Sequence, residues 1–304
     1  MSTQGVATVL GVLASFLLAL AAFLQQRAAR TTTRRGRSLL GSLARLMGSL
    51  VRHPTWLMGW LVNLVGFFVQ ALALHLGSVA SVQPLLATQL LFALPMASLE
   101  RRRWPRPRDW VSAALICAGL VLLLGVVQVT DLDGAASRAR VVLAVVAVVA
   151  VIVVAIPLAA RLGSPKAVLL VAGSCSGLCF AMTAVFIKLT ATDLVDHGVG
   201  YTARDWVGYA LAASTLVGLV LEQVAFANGP LPWAVATKEA VNPLASYAIG
   251  VLAFPVVFPT DPGTLAAVSG AGLLIVLGAW GLGGSTSVRD WLVREEDRHE
   301  YAKI

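Results

Sequence analysis

From its amino end the chain alternates long apolar runs with short, strongly polar joints. Runs of about 20 apolar residues occupy 5–26, 56–76, 79–99, 110–127, 141–160, 167–190, 206–227, 233–258 and 263–282. A helix crosses a ~30 Å hydrocarbon layer in about 20 residues at 1.5 Å each, so the pattern predicts nine spanning helices. The first run is no cleavable signal peptide: it is too long, starts without a basic segment, and has its basic cluster after it. One further segment, 38–52, behaves differently. Leu39, Leu43, Leu46 and Leu50, with Leu40, Met47 and Val51, share one face, while Gly41, Ser42, Arg45, Gly48, Ser49 and Arg52 take the other. Fifteen residues rise only about 22 Å, so this segment is expected to be an amphipathic helix on the membrane surface.

Composition removes the soluble alternative. Apolar residues make up 58% and charged residues 12%, against roughly 45–50% and about 25% in soluble domains. Too few charges are present to clothe a water-exposed surface, and the mean hydropathy of +0.82 agrees. Cys117, Cys175 and Cys179 all fall inside predicted spans, where an odd set of buried thiols reads as small apolar packing with no disulfide framework.

The net charge of +8 could suggest nucleic acid, and its distribution argues otherwise. On the nine-span layout one side receives all the Lys and Arg except Arg138, Arg140, Lys188 and Arg204. The positive-inside rule makes the rich side cytoplasmic, with the amino terminus outside and the carboxyl terminus inside. Basic loops such as Glu100-Arg101-Arg102-Arg103 then anchor topology and meet lipid headgroups. They are spread over several loops with no folded reading domain, so no nucleic-acid partner is expected. The preference for Arg over Lys, with abundant Ala, Val and Gly, points to a GC-rich bacterium and hence its plasma membrane.

Internal repetition organises the spans. Gly11, Ala19 and Ala22 in the first span answer Gly173, Ala181 and Ala184 in the sixth. Val82-Gln83-Pro84-Leu85 answers Val241-Asn242-Pro243-Leu244, Ala118-Gly119-Leu120 answers Ala271-Gly272-Leu273, and Gln70 and Gly77 answer Glu222 and Gly229. The expected fold is all-α: a first repeat over 1–127, a linker over 128–166 with its helix at 141–160, a second repeat over 167–284, and a cytoplasmic tail over 285–304. Four spans and one linker helix turn the second repeat upside down. The basic first-half loops 27–53 and 100–109 face second-half counterparts bearing Asp193, Asp196, Asp205 and Asp261. Inverted repeats recur in secondary transporters, with substrate held near the midplane between the halves.

The stretch 56–127 holds Ala71-Leu72-Ala73-Leu74-His75-Leu76-Gly77-Ser78-Val79-Ala80, Val82-Gln83-Pro84-Leu85-Leu86, Glu100-Arg101, and the small-residue helix from Trp110 through Ala118-Gly119-Leu120. In these residues it resembles the drug/metabolite transporter superfamily in its EamA-like branch. Nine spans with an external amino terminus are similar to its NIPA-type, magnesium-transporter-like members, and that resemblance implies Mg²⁺ or another divalent cation as one substrate class. The second half departs from the pattern, with Phe254-Pro255-Val256-Val257-Phe258-Pro259-Thr260 where a Glu-Arg pair would follow Pro243.

Polar groups inside the spans are the functional candidates. Pro84 and Pro243 each remove a helix hydrogen bond, and such breaks normally face protein or a cavity. With Gln83, Asn242, Asn63 and Gln70 they are candidates to line a substrate cavity, interhelical hydrogen bonding being the plainer alternative. Glu222, Lys238 and Glu239 are candidates for a coupling-ion site, because ionisable groups in a span are costly; a paired interfacial cluster is the plainer reading. Gln25, Gln26, Gln89 and His75 are expected to make structural hydrogen bonds, and Gly173 with Gly177 to pack helices closely. No catalytic residues are assigned: Ser176 and Lys188 stand about 18 Å apart along one helix, and no HExxH motif occurs. No P-loop occurs either, so an ion gradient or the solute's own gradient supplies the drive. No metal site is assigned, since Mg²⁺ favours carboxylates and no Asp lies within a span. The sequence therefore predicts a secondary transporter of a small solute without cofactor, its partners the lipid bilayer, a small-molecule or cation substrate and a second copy in a homodimer. The rival is a non-transporting scaffold or partner subunit.

Overall fold

The computed structural model describes residues 3–32, 39–76, 82, 85–99, 104–129, 137–162, 164–253 and 262–283, and among them regular structure is helical throughout. Eleven helices follow in order: α1 Thr3–Thr32, α2 Leu39–Leu50, α3 Pro54–Leu76, α4 Gln89–Leu99, α5 Pro107–Val129, α6 Arg138–Arg161, α7 Pro165–His197, α8 Val199–Thr202, α9 Trp206–Ala227, α10 Leu231–Ala253 and α11 Pro262–Gly283. Proline opens α3, α5, α7 and α11, where its fixed φ is pre-set for a helix and its missing N–H has no intrahelical partner to lose. Ser164 caps α7 by accepting from the Ala167 amide, and Asp205 caps α9.

Seven of these helices (α1, α3, α5, α6, α7, α9 and α11) are long and apolar enough to cross a membrane. The protein is an all-α, multi-pass membrane protein. Two expected spans differ from that description. The run 79–99 is helical at Leu85–Ala87 and again in the 11 residues of α4, with a turn at Thr88, while 79–81, Gln83 and Pro84 lie outside the described residues. The eighth expected span coincides with the 23-residue α10, which carries Lys238, Glu239 and Asn242; its expected end at 254–258 lies outside the described residues. The tail 285–304 and the Glu100–Arg103 loop do so too. Outward faces are apolar: Leu61, Phe67 and Phe68 of α3 and Leu143, Val153 and Val154 of α6 are all exposed. A soluble protein rarely presents such continuous patches, and hydrocarbon is their natural solvent.

Small residues let the helices approach. α1 and α3 run antiparallel, with Gly59 against Ala21 and Gln25 and Gly66 against Leu17 and Leu18. α7 and α9 also run antiparallel: Gly218 sits on Cys179 and Phe180, and Ser176 donates to the Gly218 carbonyl at 2.8 Å. α1 lies parallel to the segment leading into α4, through Gly11 on Leu85, Ser15 to Thr88 at 2.9 Å and an edge contact of Phe16 with Phe92. α7 lies parallel to α10, with Gly173 against Thr237 and Gly177 against Lys238 and Asn242. α5 and α11 cross antiparallel, Gly119 facing Ala271 and Gly278 facing Ser112 and Ile116. Gly173 and Gly177 thus do the close packing their spacing predicts, and the three cysteines are buried and free.

Three differences from expectation have physical causes. α1 continues past residue 26 because Ala28 and Ala29 are buried in the main core. In α2, Leu50 is fully buried and Leu43, Leu46 and Met47 pack on the same core, so its apolar face covers the bundle's end while Arg45 faces out. α7 runs to His197, well past residue 190, because nothing interrupts its helix until Gly198, whose φ of +77° suits glycine at a helix end.

That overrun brings Asp193 beneath Arg138. The Arg138 guanidinium donates from Nη2 to Asp193 at 2.9 and 3.0 Å and from Nη1 to Asp205 at 2.9 Å, tying α6 to α7 and to the start of α9. Asp193 is buried, whereas the Arg138 side chain is 41% exposed. Asp193→Ala is therefore expected to lower stability by about 1–3 kcal/mol, the cost of stranding hydrogen-bond partners. Arg138→Ala is expected to cost more, since it leaves the largely buried carboxylates of Asp193 and Asp205 without their counter-ion, whereas in Asp193→Ala the partly exposed Arg138 keeps both water and Asp205. The unfolding midpoints of the two variants in detergent micelles check the order.

Candidate functional site

A cavity of about 720 Å³ opens between the helices. Its wall is shared: α1 gives Leu18, Ala22 and Gln25, α3 gives Trp60, Asn63 and Gln70, and α4 with α5 gives Gln89, Leu120 and Leu124. α7 adds Phe180 and Lys188, α9 adds Glu222 and Phe226, and α10 adds Lys238, Glu239, Asn242, Pro243, Ser246 and Tyr247. Of the nine sequence candidates, seven line this one space: Asn63, Gln70, Glu222, Lys238, Glu239, Asn242 and Pro243. Gln83 and Pro84 lie outside the described residues.

Its charged lining is Lys188 together with a triad. Lys238 Nζ lies 2.7 Å from Glu222 Oε1 and 3.2 Å from Glu239 Oε1, with the ammonium 5.7 Å from the centre of the Phe180 ring. The three side chains are 17%, 12% and 27% exposed. An isolated charge there would cost several kcal/mol, and pairing offsets most of it. The set still holds one carboxylate more than it has ammonium groups.

Helix geometry explains the placement. Asn63 and Gln70 stand two turns apart on α3 and so share a face. Asn242 and Ser246 stand one turn apart on α10 and are hydrogen-bonded at 3.3 Å. Pro243, inside α10, lacks the amide that would bond the Glu239 carbonyl one turn back. Gly177 permits the arrangement: a Cβ there would stand 2.9 Å from the Lys238 carbonyl and 3.0 Å from the Asn242 amide. Close approach of α7 sets where the charged and amide side chains of α10 emerge.

A second polar group lies beside the cavity; Gln25 and Gln26 make the hydrogen bonds expected of them, and sequence reasoning missed their companion Gln223. Trp56 Nε1 donates to Gln223 Oε1 at 3.1 Å, and Gln223 Nε2 donates to Gln25 Oε1 at 2.8 Å. Gln26 Nε2 donates to the Gly229 carbonyl at 2.5 Å. Gln25, Gln26 and Gln223 are all buried. Gln223 follows Glu222 directly, so a second polar residue in an apolar helix was the available signal. Trp60 Nε1, in the cavity wall, is buried with no hydrogen-bond partner among the described residues. His75 is exposed and stands apart from the site.

No family model matches the chain, and no solved structure matches it. It is similar to an uncharacterised protein of the bacterium Corynebacterium glutamicum, 25% identical over 201 residues, which is 66% of this chain and 68% of that protein.

Proposed function

We propose that this protein is a secondary transporter that moves a small organic solute across a bacterial plasma membrane by alternating access. Nine spans form two inverted four-helix halves, 1–127 and 167–284, joined by the helix of 128–166. The basic ends face the cytoplasm, the amino terminus lies outside and the carboxyl terminus inside. The observation that carries this reading is the cavity walled by both halves and holding the Glu222–Lys238–Glu239 triad.

Packing supports the two halves independently of hydropathy. Gly218 stands 152 positions after Gly66, and its neighbours Cys179 and Phe180 stand 162 after Leu17 and Leu18. The same small-residue contact thus recurs between α1 and α3 and between α7 and α9. Helix senses are consistent with inversion: α1 and α9 meet at their carboxyl ends through Gln25 and Gln223, and α7 runs against α9. A volume of about 720 Å³ lies in the range of sites for organic ligands. A divalent cation, the class implied by resemblance, is less well served, because both carboxylates already engage an ammonium. The triad is the coupling site of this reading, the place where a driving ion is exchanged.

The test is solute counterflow in proteoliposomes, with candidates first ranked from a metabolite panel and Mg²⁺ by thermal stabilisation. At least one organic solute is expected to exchange far faster than in protein-free vesicles. Asn242→Ala is expected to weaken its apparent affinity about ten-fold, the worth of one polar contact. Exchange no faster than in empty vesicles for every stabilising solute would leave a scaffold.

A further inference from the structure

Gln25, Gln223 and Trp56 do more than hold helices together: we propose that they are the gate closing the cavity at its basic end, and that occupancy of the cavity opens it. This deepens the transporter reading above and rests on it. The three side chains come from α1, α9 and α3, so the two hydrogen bonds that join them cross from one half to the other. They lie at the carboxyl ends of α1 and α9 and the amino end of α3, the end that carries Arg27 and Arg52. A third bond, Gln26 to Gly229, crosses beside them, and the turn it grips is buried from Gly229 through Pro232.

Position makes this group responsive. Gln25 belongs to the cavity wall while Gln223 does not, so Gln25 separates ligand space from the gate. Its carbonyl oxygen accepts from Gln223, and a ligand N–H or O–H reaching the second lone pair of that oxygen from the cavity turns the amide and weakens the bond already made. Glu222 and Gln223 are consecutive on α9, and consecutive helical residues point about 100° apart. One faces Lys238 and the other faces α1 and α3. Any rotation of this last turn of α9 that follows a change of charge at the triad therefore moves Gln223 against its two partners. Each such hydrogen bond is of a size that shifts a two-state population about ten-fold.

The test reads access from each side of the membrane and needs no identified solute. Ala22, in the cavity wall, is replaced by cysteine in a background carrying Cys117→Ala, Cys175→Ala and Cys179→Ala. It is then labelled with a membrane-impermeant maleimide in inside-out and right-side-out vesicles. Gln223→Ala is expected to speed labelling about ten-fold from the side bearing Arg27 and Arg52, and not from the other. Trp56→Phe keeps an aromatic ring at this place while removing the donor and some volume; it is expected to give a several-fold increase on the same side, and it carries the test if Gln223→Ala does not fold. Unchanged labelling in folded Trp56→Phe, or an equal rise from both sides, overturns the gate. The two readings fail separately: counterflow intact with unresponsive labelling rejects the gate alone, and responsive labelling with no counterflow rejects transport.

Discussion

Lys238→Met is expected to abolish solute exchange and to be the most damaging single change in the cavity. The substitution keeps a long flexible side chain and removes only the charge. Glu222 and Glu239 now lie within 3.2 Å of the ammonium, and without it they confront each other in a space largely shielded from water. Removing one partner of a buried ion pair costs about 3–5 kcal/mol, because the charge left behind has lost both its water and its counter-ion. A membrane protein of ordinary stability tolerates little of that, so reduced yield of folded protein is expected alongside lost exchange. The triple change Glu222→Gln, Lys238→Met and Glu239→Gln separates the two effects. It removes the triad's three charges at once and leaves side chains of similar shape, so monodispersity and the unfolding midpoint are expected to return near the parent values. Exchange is expected to remain absent, since the triad then takes up no proton or cation. Recovery of exchange in the triple variant would show that the triad holds the helices in place and has no part in coupling.

Why these residues stood out in the sequence, and their neighbours did not, follows from energetics in lipid. A charge or amide inside an apolar run is costly, so few are present and each is conspicuous; Glu222, Lys238, Asn242, Asn63 and Gln70 were visible for that reason, and all line the cavity. Their convergence was legible only through the expected repeat, which aligned Gln70 with Glu222. Gln25 and Gln223 are separated by 198 positions, and no local pattern says that one amide meets the other. Gln25 looked like every other polar residue near a span end. The helices themselves were legible because apolar runs of spanning length admit few alternatives, yet their ends were not. Hydropathy marks where lipid stops, whereas a helix stops where its backbone is broken. Between residue 190 and Gly198 those two boundaries diverge in α7, and the Arg138–Asp193 contact lives in the gap.

Gly278→Ala is expected to give the largest loss of stability of any single-methyl change in the bundle. Built on the backbone, its Cβ falls 2.6 Å from the Ser112 carbonyl oxygen and 2.9 Å from the Ile116 amide nitrogen. These are main-chain atoms of α5, so no rotamer change can clear the way and the two helices must move apart. Across the same crossing a Cβ at Gly119 would stand 2.8 Å from the Ala271 carbonyl oxygen and 3.1 Å from the Ile275 nitrogen. α5 and α11 therefore touch backbone to backbone. In lipid that closeness is the main source of helix association, because hydrocarbon already solvates apolar side chains and only tight packing distinguishes protein from lipid. Overpacking of this kind costs typically about 1–3 kcal/mol, and here it falls at the upper end. Leu120 and Leu124 of α5 line the cavity, so separation of the helices also shifts that wall and is expected to weaken solute affinity. Gly272 and Gly125 sit on the same two helices with nothing within 4 Å of their would-be Cβ atoms, and their alanine variants are expected to stay within about 0.5 kcal/mol of the parent. The double variant Gly119→Ala with Gly278→Ala is expected to cost less than the two single changes added together, since the first already opens the room the second needs. Thermal unfolding of the five variants in one detergent decides it: equal midpoints for Gly278→Ala and Gly272→Ala would mean that α5 and α11 do not meet as closely as their glycines require.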